Sequence, residues 1–290
     1  MLTEKTRLLG LRADQFRHPL DQAATRSLQQ FPGFDLAIRS LLGPVGEQFF
    51  YLNNIGASVR VGDRQLPHLH ALLLEACQVL DLEPPQLYVQ QNPAPNAYTF
   101  AMRGRQPFIV LHTSLIDLLT PAEIQAVIAH ELGHLKCEHG VYLTLANLLV
   151  LASNLLPTWG TLIAQQLQER LLQWLRCAEL SCDRAALLAT QEPRAVMSVL
   201  MKLAGGSPSL APQLNLDAFI DQARDYDAID NHELGSLLKT AQVTQLTHPL
   251  PVLRAREIDR WARSPDYHHL LQGPPQTFAT ASKAGRWRNW

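Results

Sequence analysis

PAEIQAVIAHELGHLKCEHG, residues 121–140, is the stretch on which the reading of this chain turns. Thr120 in front of it offers a cap hydroxyl, Pro121 suits the first helical position, and Glu123 stands three residues after the cap, so a helix starts here. Inside it, His130-Glu131-Leu132-Gly133-His134 sets two imidazoles four residues apart. Four residues turn an α-helix by about 400°. Both rings therefore leave one face and can reach one ion, with Glu131 beside them. A helix that carries two histidines on one face by coincidence would read the same way, so the motif needs support from elsewhere.

The support lies downstream. Glu179-Leu180-Ser181-Cys182-Asp183 again places two carboxylates four residues apart on one helix face. Cys177, Ala178, Leu180, Ala185 and Ala186 surround them, so part of that helix is expected to be buried, and buried carboxylates need partners. A catalytic zinc takes three protein ligands and keeps one position open for water. His130, His134 and Glu179 form such a set, for one Zn2+ per chain. Asp183 is then expected to accept a hydrogen bond from the distal nitrogen of a ligand histidine and fix its tautomer. Glu131, next to the ligands but outside the set, is the expected general base. Cys177 and Cys182 are set aside because a fourth protein ligand would close the site. His139 lies five residues beyond His134 and about 140° around an ideal helix from it. It is expected at the helix end, where an imidazolium is favourable.

Upstream, QLPHLHALLLEACQVLDL (65–82) has helical periodicity and stops before Pro84-Pro85. QLYVQQ (86–91), AYTFAM (97–102) and FIVLHTSL (108–115) are short, β-branched and aromatic, and read as strands of one small sheet. Residues 1–60 suggest short helices broken at Pro32-Gly33 and Gly43-Pro44. After the motif, VYLTLANLLVLASNLL (141–156) and TLIAQQLQERLLQWL (161–175) read as a buried or membrane-contacting helical hairpin. The first of these is shorter than the roughly 20 residues of a membrane span. Further helices are expected at 192–205, 214–225, 232–246 and 250–262.

Of the 290 residues, 47% are hydrophobic and 18% charged, enough to bury a core. A net charge of −1 offers no basic field for phosphates, so no nucleic-acid partner is expected. The first 20 residues alternate charges with leucines, unlike a secretory signal. The four cysteines show no CxxC pair and are expected as reduced core residues. The location expected is cytoplasmic, with peripheral membrane contact through residues 141–172.

With these residues in view, the chain resembles the gluzincin peptidases that include the HtpX-type quality-control proteases, the CAAX prenyl endopeptidases and the Oma-type mitochondrial protease. Four segments carry the resemblance: PNAYTFAMRGRQPFIVLHTSLIDLL (95–119), AVIAHELGHLKCEH (126–139), ELSCDRAAL (179–187) and THPLPVLRARE (247–257). It implies a mainly helical α+β fold, a zincin-like catalytic domain with a small sheet beside the HExxH helix. The boundaries expected are a helical N-terminal extension over 1–82, a peptidase domain over 83–264 and a loose tail over 265–290. The implied activity is zinc-dependent hydrolysis of peptide bonds in protein or peptide substrates.

By the same resemblance Asn96 binds the substrate main chain beside a strand edge, and His248 stabilises the oxyanion. Arg254, a helix residue able to pair with any carboxylate, is taken as a substrate contact. Two features depart from the pattern: residues 141–156 are only marginally apolar where integral members carry transmembrane helices, and Cys182 stands where a small residue is usual. The rival expectation is a zinc-stabilised membrane-surface adaptor or chaperone with little or latent proteolysis. The intact Glu131 argues against it.

Overall fold

The computed structural model describes residues 5–30, 51–52, 54–101, 106–140, 142–143, 158–228 and 250–272. In chain order the elements are α1 (Ala13–Phe16), α2 (Pro19–Gln29), β1 (Val59–Arg60), α3 (Pro67–Leu80), β2 (Gln86–Gln90), β3 (Ala97–Phe100), β4 (Phe108–His112), α4 (Thr113–Leu118), α5 (Pro121–Lys136), α6 (Thr158–Thr190), α7 (Pro193–Gly205), α8 (Leu216–Ala228), α9 (Pro251–Ala262) and α10 (Pro265–Gln272). The class is the expected one: mainly helical α+β with one small sheet.

That sheet has the order β1-β2-β4-β3, with β2 and β4 parallel and the other pairs antiparallel. Leu87 faces Ile109 across the parallel pair, and Tyr98 faces Val110 across the antiparallel one. All five residues of β4 are buried, as a continuous apolar run in a parallel strand requires. β3 forms the edge, and it packs against α5.

α5 is the central helix. Thr120 N–H donates to Glu123 Oε2 at 2.7 Å, closing the capping box read from the sequence. Buried residues then run around the whole helix from Glu123 to Leu135, because α3, α6, α7 and β3 cover it from different sides. Leu73, Ala76, Ile128, Leu132, Ala186 and Leu200 belong to one core with Leu8, Leu11 and Phe16 of the N-terminal segment. The N-terminal residues are thus built into the same core as the motif helix.

Several expectations change. The strand expected over 108–115 ends at His112, and Thr113 opens α4 instead. The amphipathic stretch after Pro157 continues beyond its expected end at Leu175. It runs without a break into the segment bearing Glu179, as the 33-residue α6. Residues 265–272, expected as loose tail, form α10, anchored by Tyr267 packed on Trp261 with ring centroids 5.2 Å apart. Residues 144–157, the expected helix at 232–246 and the tail from 273 lie outside the described residues. The four cysteines are free, three of them buried.

At the N-terminal end of α5, Glu123 also binds the Lys202 ammonium at 2.6 Å and the Ser198 hydroxyl at 2.6 Å. Both charged groups are buried. Burial alone would raise the Glu123 carboxyl, but Lys202, Ser198 and Thr120 hold it below its ordinary value. Its stabilisation is therefore present above the unfolded carboxylate value and lost as pH falls through the lower folded value. Glu123→Gln is expected to cost roughly 3–5 kcal/mol near neutral pH, since it strands a buried ammonium. Denaturant unfolding at neutral and acid pH checks this: the gap between wild type and variant should narrow as the pH falls below about 4.

Candidate metal centre

α5 and α6 approach so closely that Gly133, in the middle of the HExxH motif, has no room for a side chain. A Cβ there would lie 2.9 Å from Cys182 Cα and 2.9 Å from Ala185 Cβ. This close approach brings the two motifs together. His130 Nε2 stands 3.4 Å from Glu179 Oε2, and His134 Nε2 stands 3.3 Å from Glu179 Oε1. Ligand atoms held about 2.1 Å from a tetrahedral ion are themselves about 3.4 Å apart. Each of the two histidine–Glu179 distances matches that spacing, and two imidazoles with a carboxylate are a donor set that suits a small divalent cation.

Charge supports the same conclusion. Burial alone would lower the His130 imidazole, but Glu179 and Asp183 push it up to about 10. So much negative charge converges on this point that a proton is held strongly where a cation would sit. His130 Nδ1 faces Asp183 Oδ1 at 3.1 Å. With Nδ1–H donating to that carboxylate, the Nε2 lone pair is left for the centre.

Arg254 completes the arrangement. Its Nε donates to Asp183 Oδ2 at 2.8 Å and its Nη2 to Asp183 Oδ1 at 2.6 Å, while Nη1 reaches Glu179 Oε2 at 3.0 Å. Desolvation alone would raise the Asp183 carboxyl, but Arg254 and His130 hold it low. The fork geometry of a guanidinium is what allows one side chain to serve both carboxylates.

The general-base candidate has a partner that the sequence did not disclose. Thr99 Oγ1 on β3 donates to Glu131 Oε2 at 2.6 Å. Only the position of Thr99 in the strand beside the motif could have hinted at this contact. Glu131 and Asn96 both line the cleft of about 390 Å³ that opens on the centre. Val127, Ala186, Val196, Val199 and Leu200 form its apolar wall. Asn96 is exposed at the mouth, and its carbonyl accepts from His112 N–H at 3.0 Å. His248 lies outside the described residues.

Cys182 is close enough to His130 and His134 to form a possible ligand group with them. Its Sγ, however, contacts His139 Nδ1 at 3.8 Å. His134 Nδ1 lies 3.2 Å from that same His139 atom. The thiol thus sits by the Nδ1 side of His134, away from the Nε2 that faces Glu179, and burial raises it well above the ordinary thiol range.

His139 corrects the sequence reading. It is fully buried rather than an imidazolium at a helix end, and its ring is pushed down to about 4, chiefly by burial. The extrapolated 140° failed because α5 stops at Lys136 and Glu138 adopts φ 60°. The left-handed turn folds the chain back, with His139 N–H donating to His134 O at 2.9 Å and Glu138 N–H to Leu135 O at 3.1 Å, a Schellman closure.

The profile of peptidase family M48 matches residues 63–262. The chain is 58% identical over 262 residues to the plastoglobule-localized metallopeptidase 48, chloroplastic, of Arabidopsis thaliana, a match covering 90% of this chain and 76% of that protein. It is 28% identical over 187 residues to protease HtpX homolog 2 of Methanosarcina mazei, covering 54% of this chain and 63% of the relative. A protease HtpX homolog of Moorella thermoacetica is 28% identical over 192 residues, covering 56% and 64%. The chain thus spans less than two thirds of either HtpX homolog. No solved structure matches it. The names favour peptidase activity over the adaptor reading.

Gly133→Ala should separate α5 from α6. The expected result is a loss of about 1–3 kcal/mol in urea unfolding, with metal uptake per folded chain weakened because Glu179 moves relative to the two histidines.

Proposed function

Because the chain belongs to peptidase family M48 and is a metal-dependent peptidase, we propose that its metal is a single zinc held by His130, His134 and Glu179. The convergence of both Nε2 atoms on the two Glu179 oxygens at 3.3–3.4 Å carries this reading. When bound, the metal supplies Lewis acidity toward the attacking water and the scissile carbonyl.

Glu131 removes a proton from the attacking water and passes it to the leaving amine. Thr99 holds the Glu131 carboxylate by one oxygen, leaving the other free for the water. Asp183 keeps His130 in the tautomer that presents Nε2, and Arg254, with its guanidinium committed to Asp183 and Glu179, positions those carboxylates rather than the substrate. The substrate lies extended along edge strand β3, where Asn96 holds its main chain. The apolar wall of the cleft suits a hydrophobic side chain next to the scissile bond. His248 stabilises the oxyanion, a role that rests on the family resemblance.

Zinc content and peptide cleavage, measured side by side, test this assignment. Wild type should carry one zinc per chain and cleave. Glu131→Gln should keep the zinc and lose at least roughly 10²-fold in rate. His130→Ala, His134→Ala and Glu179→Ala should each lose the metal, and zinc retained in all three would sink the ligand set.

We also propose that the protein works at a lipid surface without crossing it. Among the described residues no helix is long and apolar enough to cross a membrane, and the Arabidopsis relative is named for its place on plastoglobules. Liposome flotation checks this: wild type should float, and replacing Leu145, Leu148 and Leu149 with serine should leave it at the bottom of the gradient.

A further inference from the structure

Behind His134, on the side away from Glu179, a buried chain of polar groups leads out of the catalytic region. His134 Nδ1 lies 3.2 Å from His139 Nδ1, and His139 Nε2 lies 3.1 Å from Asp21 Oδ2. Asp21 belongs to α2 and is completely buried. It stands outside residues 63–262, the span matched by the family profile. Other donors also converge on it: Arg17 Nε at 2.7 Å and Nη2 at 3.1 Å, Ser181 Oγ at 2.6 Å and Thr25 Oγ1 at 3.1 Å.

The proton positions follow from the ligand assignment, on which this inference rests. If Nε2 of His134 gives its lone pair to the metal, Nδ1 carries the hydrogen and donates to His139 Nδ1. That nitrogen can accept only in the tautomer with hydrogen on Nε2, and Nε2–H then donates to Asp21. Each ring nitrogen along the relay then has a matching donor or acceptor, with Arg17 Nη2 at 3.4 Å from His139 Nε2 and Cys182 Sγ at 3.8 Å from His139 Nδ1 lying beside it. We propose that Asp21 is a positioning residue for the metal, contributed by the N-terminal segment, which acts through His139 to orient His134 and raise its basicity. The arrangement extends the usual carboxylate–histidine–metal support by one imidazole.

Asp21, Cys137 and His139 also lie within reach of one another as a possible second metal group. The Arg17 guanidinium, already paired to both Asp21 oxygens, occupies the place of the cation there. Ser181 links this support to the motif: it sits between Glu179 and Asp183, donates to Asp21, and accepts from His18 N–H at 2.9 Å.

The test is zinc affinity of the full-length chain, measured by chelator competition after metal removal, together with the absorption spectrum of the cobalt-substituted protein. Asp21→Asn should weaken zinc by roughly 10- to 100-fold and alter the cobalt spectrum. Leu28→Ala serves as the control for packing alone, since Leu28 is buried on the same helix and takes no part in the relay. It should lower the melting temperature and leave the zinc dissociation constant unchanged.

An unchanged constant in Asp21→Asn, or an equal weakening in Leu28→Ala, overturns the inference. Should Asp21→Asn fail to fold, long-range 1H–15N spectra of the zinc-loaded wild type decide. His139 protonated on Nε2 supports the relay, and protonation on Nδ1 defeats it. A wild-type chain that takes up no zinc defeats the ligand assignment and this inference together. Full zinc binding with Asp21→Asn indistinguishable from wild type defeats the inference alone.

Discussion

Two helix backbones meet at Gly133 with no space for a methyl group between them, and the placing of Glu179 against His130 and His134 depends on that contact. A larger residue would hold α6 away from α5, and Glu179 would no longer reach both imidazoles. The glycine is mid-helix, where it lowers intrinsic helix stability by about 1 kcal/mol relative to alanine. Here the cost is offset by burial, since α5 is covered by α3, α6, α7 and β3. The fold accepts a weak helical residue where close approach brings His130, His134 and Glu179 together.

That approach concentrates negative charge. Glu179 and Asp183 are both buried, one turn apart on α6. Two carboxylates in such a place are strongly unfavourable without counter-charge. Arg254 from α9 supplies one positive charge, and the two imidazoles turn their nitrogens toward the remaining oxygens. With the buried Glu131 carboxylate of the same cleft counted, two negative charges are left, which a divalent ion bound by the Nε2 atoms and Glu179 would balance. The same electrostatic demand thus accounts for the position of Arg254 on α9 and for the charge of the group the centre accepts.

The N-terminal segment takes its place in this scheme by burial and by hydrogen bonding. Leu8, Leu11 and Phe16 enter the common core, while Trp174 Nε1 donates to Thr25 at 2.9 Å. Asp21 receives the hydroxyl of Ser181 from within the ExxxD motif itself. An element that looked like an appendage in the sequence is therefore packed against the back of the helix that holds Glu179.

Much of the centre could be read from the chain because its geometry is local. His130 and His134, or Glu179 and Asp183, share a face through helical spacing alone, and the start of α5 is written in Thr120, Pro121 and Glu123. Three of the four strands and the helices expected near 192–205, 214–225 and 250–262 followed from periodicity and turn residues in the same way, whereas the fold class came from the family resemblance. What the tertiary structure decided was every contact between residues far apart in sequence: Thr99 with Glu131, Lys202 with Glu123, Arg254 with two carboxylates, and Asp21 with His139 across 118 positions. His139 shows where the boundary lies. Helical extrapolation assumes that the helix continues, and a single left-handed residue at Glu138 redirected the ring from the helix end into the core. Local spacing is set by backbone geometry that any sequence carries with it, whereas partners across the core are chosen by packing and charge compensation that exist only once the chain has closed on itself.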